Sequence, residues 1–209
     1  MALLESVRRF PTRIHAFHEK QGSALRGIRR NILNSYDLLT FDTSWVRSDV
    51  ETSCRKYRES DLDDVLNIES ASFEYPWSRR DFEYCLTLER CGVLVAERKG
   101  VIVGYLVYEA RRKSIRLLSC AVAESERRSG VGSFLLRELA ARFGATRSEI
   151  VCFVRERNVP AQLFLRRQGF RAQWIKRSFY SSAEEDAYQM TWRIDDDYYL
   201  ADSENRQAG

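Results

Sequence analysis

Histidine is nearly absent from this chain of 209 residues, and the two that occur, His15 and His18, stand close to its beginning. The rest of the chain therefore lacks the imidazole that a Ser-His-Asp triad, a Cys-His pair or a histidine-bound metal requires. These enzyme classes are excluded for the body of the protein, and we expect no metal site.

Long apolar runs and paired cysteines are also missing. No segment reaches the roughly 18 consecutive apolar residues of a membrane-spanning helix, so we expect no membrane partner. The five cysteines are odd in number, widely spaced and without a Cys-x-x-Cys pair: Cys54, Cys85, Cys91, Cys120 and Cys152. This usage argues against a disulfide framework and favours a reducing compartment, so we expect a cytoplasmic protein.

Two glycines occur where a buried strand is followed by an amphipathic helix. The apolar run Ile115 to Ala123 predicts the strand, and apolar residues at helical spacing predict a helix that ends near Gly144. Between them stands Arg127-Arg128-Ser129-Gly130-Val131-Gly132. The first N–H groups of a helix have no internal partner, and glycine allows an anion to approach them closely. The segment therefore predicts a phosphate-binding loop.

Two common phosphate loops do not fit this segment. A P-loop needs Lys-Ser/Thr after its second glycine, where this chain has Ser133-Phe134. A dinucleotide fingerprint needs glycine or alanine at position 135, which is Leu135. The segment instead resembles the Arg/Gln-x-x-Gly-x-Gly/Ala pattern with which GNAT N-acetyltransferases hold the pyrophosphate of coenzyme A.

Four further motifs narrow the resemblance to one branch of that superfamily, the RimI-like ribosomal-protein alanine N-acetyltransferases. They are similar to the branch's elements in order and nearly in spacing, from about Arg55 to Ile194: Tyr75-Pro76-Trp77-Ser78; Val154-Arg155-Glu156-Arg157-Asn158 with Ala161 and Gly169-Phe170; Arg177-Ser178-Phe179-Tyr180; and Glu185-Asp186-Ala187 with Met190.

The resemblance implies the GNAT fold, an α/β architecture. Its mixed, mostly antiparallel sheet would have six to seven strands, a central V-shaped splay and about four flanking helices. The splayed strands would be Ile115 to Ala123 and Glu149 to Val154, with the cofactor's pantetheine arm between them. Acetyl-CoA, as co-substrate, would then contact Cys120, Ala121, Val122, Arg127, Arg128, Ser129, Gly130, Val131, Gly132, Ser133 and Asn158. Asn158 is equally suited to cap a helix.

Smaller signals place the other elements. Ser60 with Asp63, and Ser78 with Asp81, predict capping boxes for helices that reach about Ala71 and Leu88. Lys99-Gly100 predicts the turn of a hairpin between Val93–Glu97 and Ile102–Tyr108. The last strands are predicted at Phe170–Trp174 and Ala187–Ile194.

The chain departs from the branch at both proton-transfer positions. Phe153 stands where the branch carries a glutamate, and Leu165 stands where it carries a tyrosine. Neither of these side chains can exchange a proton. An α-amine titrates near ~7.8 and is already ~15% neutral at pH 7, whereas lysine, near ~10.4, costs about 3.5 kcal/mol more to deprotonate. An enzyme without a dedicated base therefore suits N-terminal or weakly basic amines. Tyr180 and Glu156, and less so Glu124, remain as candidate catalytic groups, and each is also explained as an ordinary edge or loop residue.

Charge suggests three regions. Residues 1–40 hold seven basic and three acidic residues, which equals the net charge of +4 for the whole chain. We expect residues 1–50 to be a basic, mobile extension, 51–195 to be the N-acetyltransferase domain, and 196–209 to be an acidic, disordered tail. A basic arm could dock on RNA or a membrane surface, but no motif supports specific nucleic-acid binding.

We therefore expect an acetyl-CoA-dependent N-acetyltransferase, with a protein N-terminal α-amine as acceptor and a ribosomal protein among the candidate substrates. Two alternatives stay open at this stage. One is an acetyltransferase for a small amine, and the other is a catalytically degenerate acyl-CoA-binding regulatory module, which Phe153 and Leu165 would explain.

Overall fold

The computed structural model of the chain describes residues 52–144, 146–180 and 185–194. Seven strands and four α-helices follow one another in this part of the chain: β1 (Thr52–Lys56), α1 (Leu62–Ser72), α2 (Arg79–Leu86), β2 (Cys91–Arg98), β3 (Val101–Ala110), β4 (Ser114–Val122), α3 (Val131–Phe143), β5 (Glu149–Arg155), α4 (Val159–Arg167), β6 (Arg171–Tyr180) and β7 (Glu185–Arg193). Short 3₁₀ turns, Glu59–Asp61 and Glu124–Glu126, precede α1 and follow β4.

The seven strands form one sheet in the order β1-β2-β3-β4-β5-β7-β6. Every neighbouring pair is antiparallel except β4 and β5, which are parallel and pair only through Ser114–Arg116 and Glu149–Val151. Beyond these residues β4 stays paired with β3 and β5 stays paired with β7, so the two strands separate. The predicted α/β architecture, with its mostly antiparallel sheet and central splay, is confirmed.

Two apolar clusters cover the two faces of the sheet. On one face, α3 and α4 pack through residues such as Leu135, Leu139 and Leu165. On the other face, α1 and α2 pack through residues such as Val65 and Phe82. Along β5 the side chains alternate, so Cys152 and Val154 enter the first cluster and Phe153 lies on the face that carries α1 and α2. This second face carries the chemistry described below.

Several local predictions are confirmed. The Ser78–Asp81 capping box forms, with the Ser78 backbone and hydroxyl both donating to the Asp81 carboxylate. Lys99 and Gly100 both adopt positive φ, at 50° and 79°, as a two-residue hairpin turn of this twist requires. Asn158 caps α4, because its Oδ1 accepts the Ala161 N–H at 3.1 Å, and Gly169 ends the helix at a φ of 92°.

Other local predictions are wrong. Ser60 and Asp63 do not form the first capping box, because α1 begins only at Leu62 and the Arg58 N–H is bonded by the Asp61 carboxylate at 2.7 Å. Asp61 is itself held by Arg55 of β1, a strand that was not predicted. The last two strands differ as well, because β6 runs to Tyr180 rather than to Trp174 and β7 begins at Glu185.

The predicted extension at 1–50 and most of the predicted tail at 196–209 lie outside the described residues, and these boundaries stay predictions. Within the described ranges, no helix has the length and apolar character needed to cross a membrane. All five cysteines are free thiols.

Candidate active site

The loop that joins β4 to α3 is held in place by Arg98, the last residue of β2. Its guanidinium donates to Glu126 Oε2 at 2.6 Å, to Ser129 Oγ at 3.1 Å and to the Ser129 carbonyl at 3.2 Å. The Ser129 hydroxyl in turn donates to the Glu126 carbonyl at 2.6 Å. Arg98 thus fixes the approach to α3 from a strand 28 residues away. Sequence reasoning missed it, because no local pattern marks a contact between these two segments.

The loop ends with two residues of positive φ, Arg128 at 67° and Gly130 at 87°, and Gly130 is the N-cap of α3. The first hydrogen bond inside the helix runs from the Phe134 N–H to the Gly130 carbonyl at 2.9 Å. The N–H groups of Val131, Gly132 and Ser133 precede it and have no acceptor inside the helix. A Cβ built on Gly130 meets nothing within 4 Å, so open space lies beside these donors. The arrangement suits an anion with several oxygens.

The two arginines of the loop differ in what they contact. Arg128 is exposed, and within the described residues its side chain forms no hydrogen bond or ion pair. Arg127 turns the other way: its Nε donates to the Val122 carbonyl at 3.3 Å, and an NH2 donates to Ser72 Oγ at 3.2 Å. Arg127 therefore ties the loop to the end of β4 and to α1, and Arg128 is the cation that is available to a phosphate.

The second glycine of the motif has a packing reason. Gly132 is buried, and a Cβ at this position would lie 3.2 Å from Cζ of Phe164. Glycine here lets α3 approach α4 closely. Only Gly130 therefore matches the sequence-based argument that a glycine opens space beside an anion.

The backbone of β4 presents polar groups to the gap between β4 and β5. Ala123 donates its N–H to Val103 of β3 at 2.9 Å, and Ala121 pairs with Tyr105 of the same strand. Peptide groups alternate in direction along a strand, so those of Cys120 and Val122 face the gap. The Val122 carbonyl is taken by Arg127, which leaves the Val122 N–H and both backbone groups of Cys120 facing it. Ala121, which was expected to bind the cofactor through its backbone, faces β3 instead.

These observations test whether acetyl-CoA fits the residues present. A diphosphate needs several convergent donors and positive charge, which the start of α3 and Arg128 supply. An amide-bearing arm needs backbone partners in an extended cleft, which the Cys120 and Val122 peptide groups supply. The residues fit the cofactor.

Aromatic and arginine side chains cluster beside this gap, on the face that carries α1 and α2. We call them the aromatic–arginine cluster: Arg116, Phe153, Arg155, Phe179 and Tyr180. The rings of Phe153 and Phe179 stack with their centroids 4.7 Å apart. Arg155 lies 4.0 Å from the Tyr180 ring centroid and forms a buried ion pair with Glu185 at 2.9 Å.

Tyr180 is buried between neighbouring side chains of the cluster. Its side chain is only 3% exposed, and its hydroxyl donates to the Phe153 carbonyl at 3.2 Å. Burial raises the pKa of the phenol well above its ordinary value, only partly opposed by the positive charge of Arg155. The hydroxyl therefore stays protonated at neutral pH and does not act as a base there.

The other candidates for proton transfer are no better placed. The Glu156 side chain is exposed, and its carboxylate makes no ion pair or hydrogen bond within the described residues. Glu124 is 83% exposed and lies 3.9 Å from Arg127. Leu165 is fully buried in the core under α4. The Glu156 assignment gains no support from its surroundings, because nothing nearby orients it.

Arg116 is a charged residue of the cluster that sequence reasoning missed. It lies on β4 at the last position paired with β5, and its guanidinium carbon is 5.0 Å from the Phe153 ring centroid. Burial, helped by the charge of Arg111, lowers the pKa of Arg116 to about 10. The alternation of apolar and polar residues on β4 could have marked it as facing away from the core.

Glu69 of α1 is a buried carboxyl group that contacts β4. It is fully buried, accepts the Trp77 N–H at 2.8 Å and is bonded by Ser119 Oγ at 3.2 Å. Ser119 also shares a hydrogen bond with the Tyr105 hydroxyl at 3.1 Å. Burial raises the pKa of Glu69 to about 8. This network fastens the segment between α1 and α2 to the centre of the sheet.

Comparison with known proteins gives the same fold and family. Residues 62–170, just over half of the chain, match the acetyltransferase (GNAT) family. A provisionally named ribosomal protein bS18-alanine N-acetyltransferase of Bacillus subtilis is 30% identical over 145 residues, which are 67% of this chain and 94% of that protein. The chain belongs to the GNAT family of acetyltransferases.

Solved structures agree in fold. The ribosomal-protein-S18-alanine N-acetyltransferase of Escherichia coli superposes with a TM-score of 0.63 at 23% identity, covering 69% of this chain and 94% of that one. A GNAT acetyltransferase of Elizabethkingia anophelis with acetyl-CoA bound superposes with a TM-score of 0.57 at 16% identity, covering 68% and 97%. As a member of the GNAT family, the protein is an N-acetyltransferase that takes its acetyl group from acetyl-CoA.

Proposed function

We propose that this enzyme acetylates the N-terminal α-amine of a protein. The observation that carries the proposal is the chemistry of the aromatic–arginine cluster, which lies beside the cofactor gap and contains no group that can accept a proton at neutral pH. An α-amine is partly neutral at that pH, so it needs a base less than a lysine does. The names of the relatives in Bacillus subtilis and Escherichia coli, both alanine N-acetyltransferases, support the same acceptor class.

We further propose which residues hold acetyl-CoA. The N–H groups of Val131, Gly132 and Ser133 would bind the diphosphate, with Gly130 providing the open space and Arg128 the nearby charge. The peptide groups of Cys120 and Val122 would bind the arm that lies between β4 and β5. Arg127 and Ser129 would act indirectly, since both hold the shape of the loop. Asn158 would contribute through its capping of α4.

When bound, acetyl-CoA supplies a thioester whose carbonyl carbon is open to attack by an amine. The part of this chain would be to orient, to polarise and to exclude water. Backbone N–H groups of β4 that face the gap, such as that of Val122, would donate to the oxygen on which negative charge develops. Phe153 and Phe179 would form a dry wall against the acceptor, and the buried Tyr180 packs against Phe179.

Tyr180 would support Phe153 and Phe179 rather than transfer a proton, since its hydroxyl already donates to the Phe153 carbonyl and its ring is buried. As the amine nitrogen bonds to the carbonyl carbon and the carbon–sulfur bond breaks, the proton that the amine loses would reach the departing thiolate through water, with the exposed Glu156 as a candidate relay. The division into an extension at 1–50, a catalytic domain at 51–195 and a tail at 196–209 belongs to the same proposal. So does a cytoplasmic location, which the five free thiols support.

The test is a thiol-release assay with acetyl-CoA and peptides that begin with Ala, Ser or Met. Each peptide is paired with one whose α-amine is blocked and whose lysine side chains are free. We expect turnover on free α-amines and none on the blocked peptides. Turnover restricted to small amines, or equal turnover on blocked peptides, would contradict the proposal.

A further inference from the structure

The aromatic–arginine cluster holds two cations, and among the described residues only one of them has a carboxylate partner. Arg155 is paired with Glu185 at 2.9 Å, and Arg177, which flanks the cluster on β6, is paired with Asp186. Arg116 forms no ion pair or hydrogen bond to any described residue, and its guanidinium carbon lies 5.0 Å from the Phe153 ring centroid. A guanidinium is always charged and offers five hydrogen-bond donors, so the Arg116 side chain can still bind an anionic group.

The carboxylates near Arg116 are already engaged. Glu109 stands directly opposite Arg116 in the β3–β4 ladder, but its two oxygens are bonded by Arg90 at 3.1 Å and Arg111 at 3.0 Å. Glu185 accepts from Arg155 and from the Arg157 N–H at 2.9 Å. Neither acid forms an ion pair with Arg116, and the charge of Glu109, which acts on Arg116, is shared with Arg90 and Arg111, so the described part of the cluster keeps an excess of positive charge.

Arg116 is nevertheless partly exposed. It is half-buried rather than enclosed, and it stands where β4 and β5 begin to separate. Burial lowers the pKa of Lys176 of β6, and the nearby positive charge of Arg116 lowers it further. A ligand that enters beside the Phe153 ring therefore meets a positive potential.

We infer that the acceptor is anionic: an N-terminal peptide segment with an Asp or Glu within its first three residues, whose carboxylate binds the Arg116 guanidinium. The inference rests on the proposed function, since it assumes a peptide acceptor and specifies its charge. A planar guanidinium over an aromatic ring is well suited to a two-point hydrogen bond with a carboxylate. The positive charge also opposes protonation of the amine beside it, so it favours the nucleophilic form.

The experiment compares peptides that begin with Ala or Ser and carry Glu at position two or three with otherwise identical Gln peptides. For the wild-type enzyme we expect kcat/KM to be roughly tenfold to hundredfold higher for Glu than for Gln, the range of a hydrogen-bonded charge pair. In Arg116→Met, which keeps the stem over the Phe153 ring, the Glu peptide should fall to the level of the Gln peptide. Arg116→Lys should retain part of the preference.

Arg112→Gln is the matched control, because it removes one positive charge from the exposed turn between β3 and β4. It should leave the preference unchanged, and melting curves of all variants would show that they are folded. Equal kcat/KM for Glu and Gln peptides in the wild type, or a preference that survives in Arg116→Met, would overturn the inference. If no peptide of either kind is acetylated at its α-amine, the proposed function itself fails, which is a distinguishable result.

Discussion

The role of Gly130 as the opening to the diphosphate can be tested with a substitution that adds charge as well as bulk. Gly130→Asp places a carboxylate at the N-cap of α3, where an added Cβ meets nothing within 4 Å. The variant should therefore fold. The carboxylate would lie within about 5 Å of a bound diphosphate, where two like charges repel by roughly 1 to 3 kcal/mol, depending on how much water screens them. A diphosphate carries about two charges, so the loss is at least ~2 kcal/mol, or about thirtyfold in Kd.

Two matched variants separate the causes. Gly130→Asn has nearly the same shape without the charge, so the difference between Asp and Asn isolates electrostatic repulsion, and it should shrink at high salt. Gly100→Asp, in the β2–β3 turn, also has a positive φ, 79° against 87°, and also meets nothing within 4 Å. It carries the same backbone strain, of about 1 kcal/mol, away from the loop.

The assay is titration calorimetry with coenzyme A. We expect weakened binding in Gly130→Asp, a smaller effect in Gly130→Asn and wild-type affinity in Gly100→Asp. Wild-type affinity in a folded Gly130→Asp variant would refute the assignment of the diphosphate to this loop.

Three further predictions concern residues that hold or shape the site. Arg98→Met removes the bonds to Glu126 and Ser129; chemical denaturation should show a loss of ~2 kcal/mol, and calorimetry a roughly tenfold weaker Kd for coenzyme A, because the loop is no longer held. Glu69 carries a pKa raised from 4.5 to about 8 by burial, so the folded protein keeps a proton that the unfolded chain loses, and stability falls as pH rises between these values. Glu69→Gln should remove this fall. Relative to the wild type, the free energy of unfolding of the variant should rise by as much as ~4 kcal/mol from pH 5 to pH 8, measured by denaturation at both pH values. An unchanged pH dependence would contradict the prediction. Phe153→Glu should pair with Arg116 and lower kcat/KM for acidic peptides about tenfold, whereas faster turnover on all peptides would show that a missing base limits the enzyme.

Much of the fold could be predicted from the sequence, because its signals are local. The Ser78–Asp81 capping box, the Lys99–Gly100 turn and the Asn158 cap each depend on residues within three positions of one another. The order of the motifs then indicated the family resemblance, and the resemblance predicted the splay between β4 and β5. Glycine at position 130 was predicted for the right reason, since its φ of 87° and the open space beside it are both observed.

What could not be predicted depends on contacts between distant segments. Arg98 holds the loop from β2, and Gly132 is small because Phe164 of α4 lies against it. Ala121 looked equivalent to its neighbours Cys120 and Val122, yet the pairing of β4 with β3 turns its peptide group away from the gap.

The residues of the catalytic step also differ in how far local sequence could predict them. The sequence alone indicated that Phe153 and Leu165 cannot exchange a proton, and the structure adds that Tyr180 is bonded to the Phe153 carbonyl and that Arg116 faces the same site. The aromatic–arginine cluster thus holds no base and one cation without an ion pair to a described residue, which suits an acceptor amine that is already partly neutral.

The most direct test is to identify the acetylated nitrogen by tandem mass spectrometry. The purified full-length enzyme is incubated with acetyl-CoA and a peptide that begins with Ala-Glu and contains an internal lysine. We predict a single acetyl group on the α-nitrogen of the peptide. Acetylation of the lysine side chain alone, or an unmodified peptide in the presence of enzyme that acetylates small amines, would contradict the proposed function.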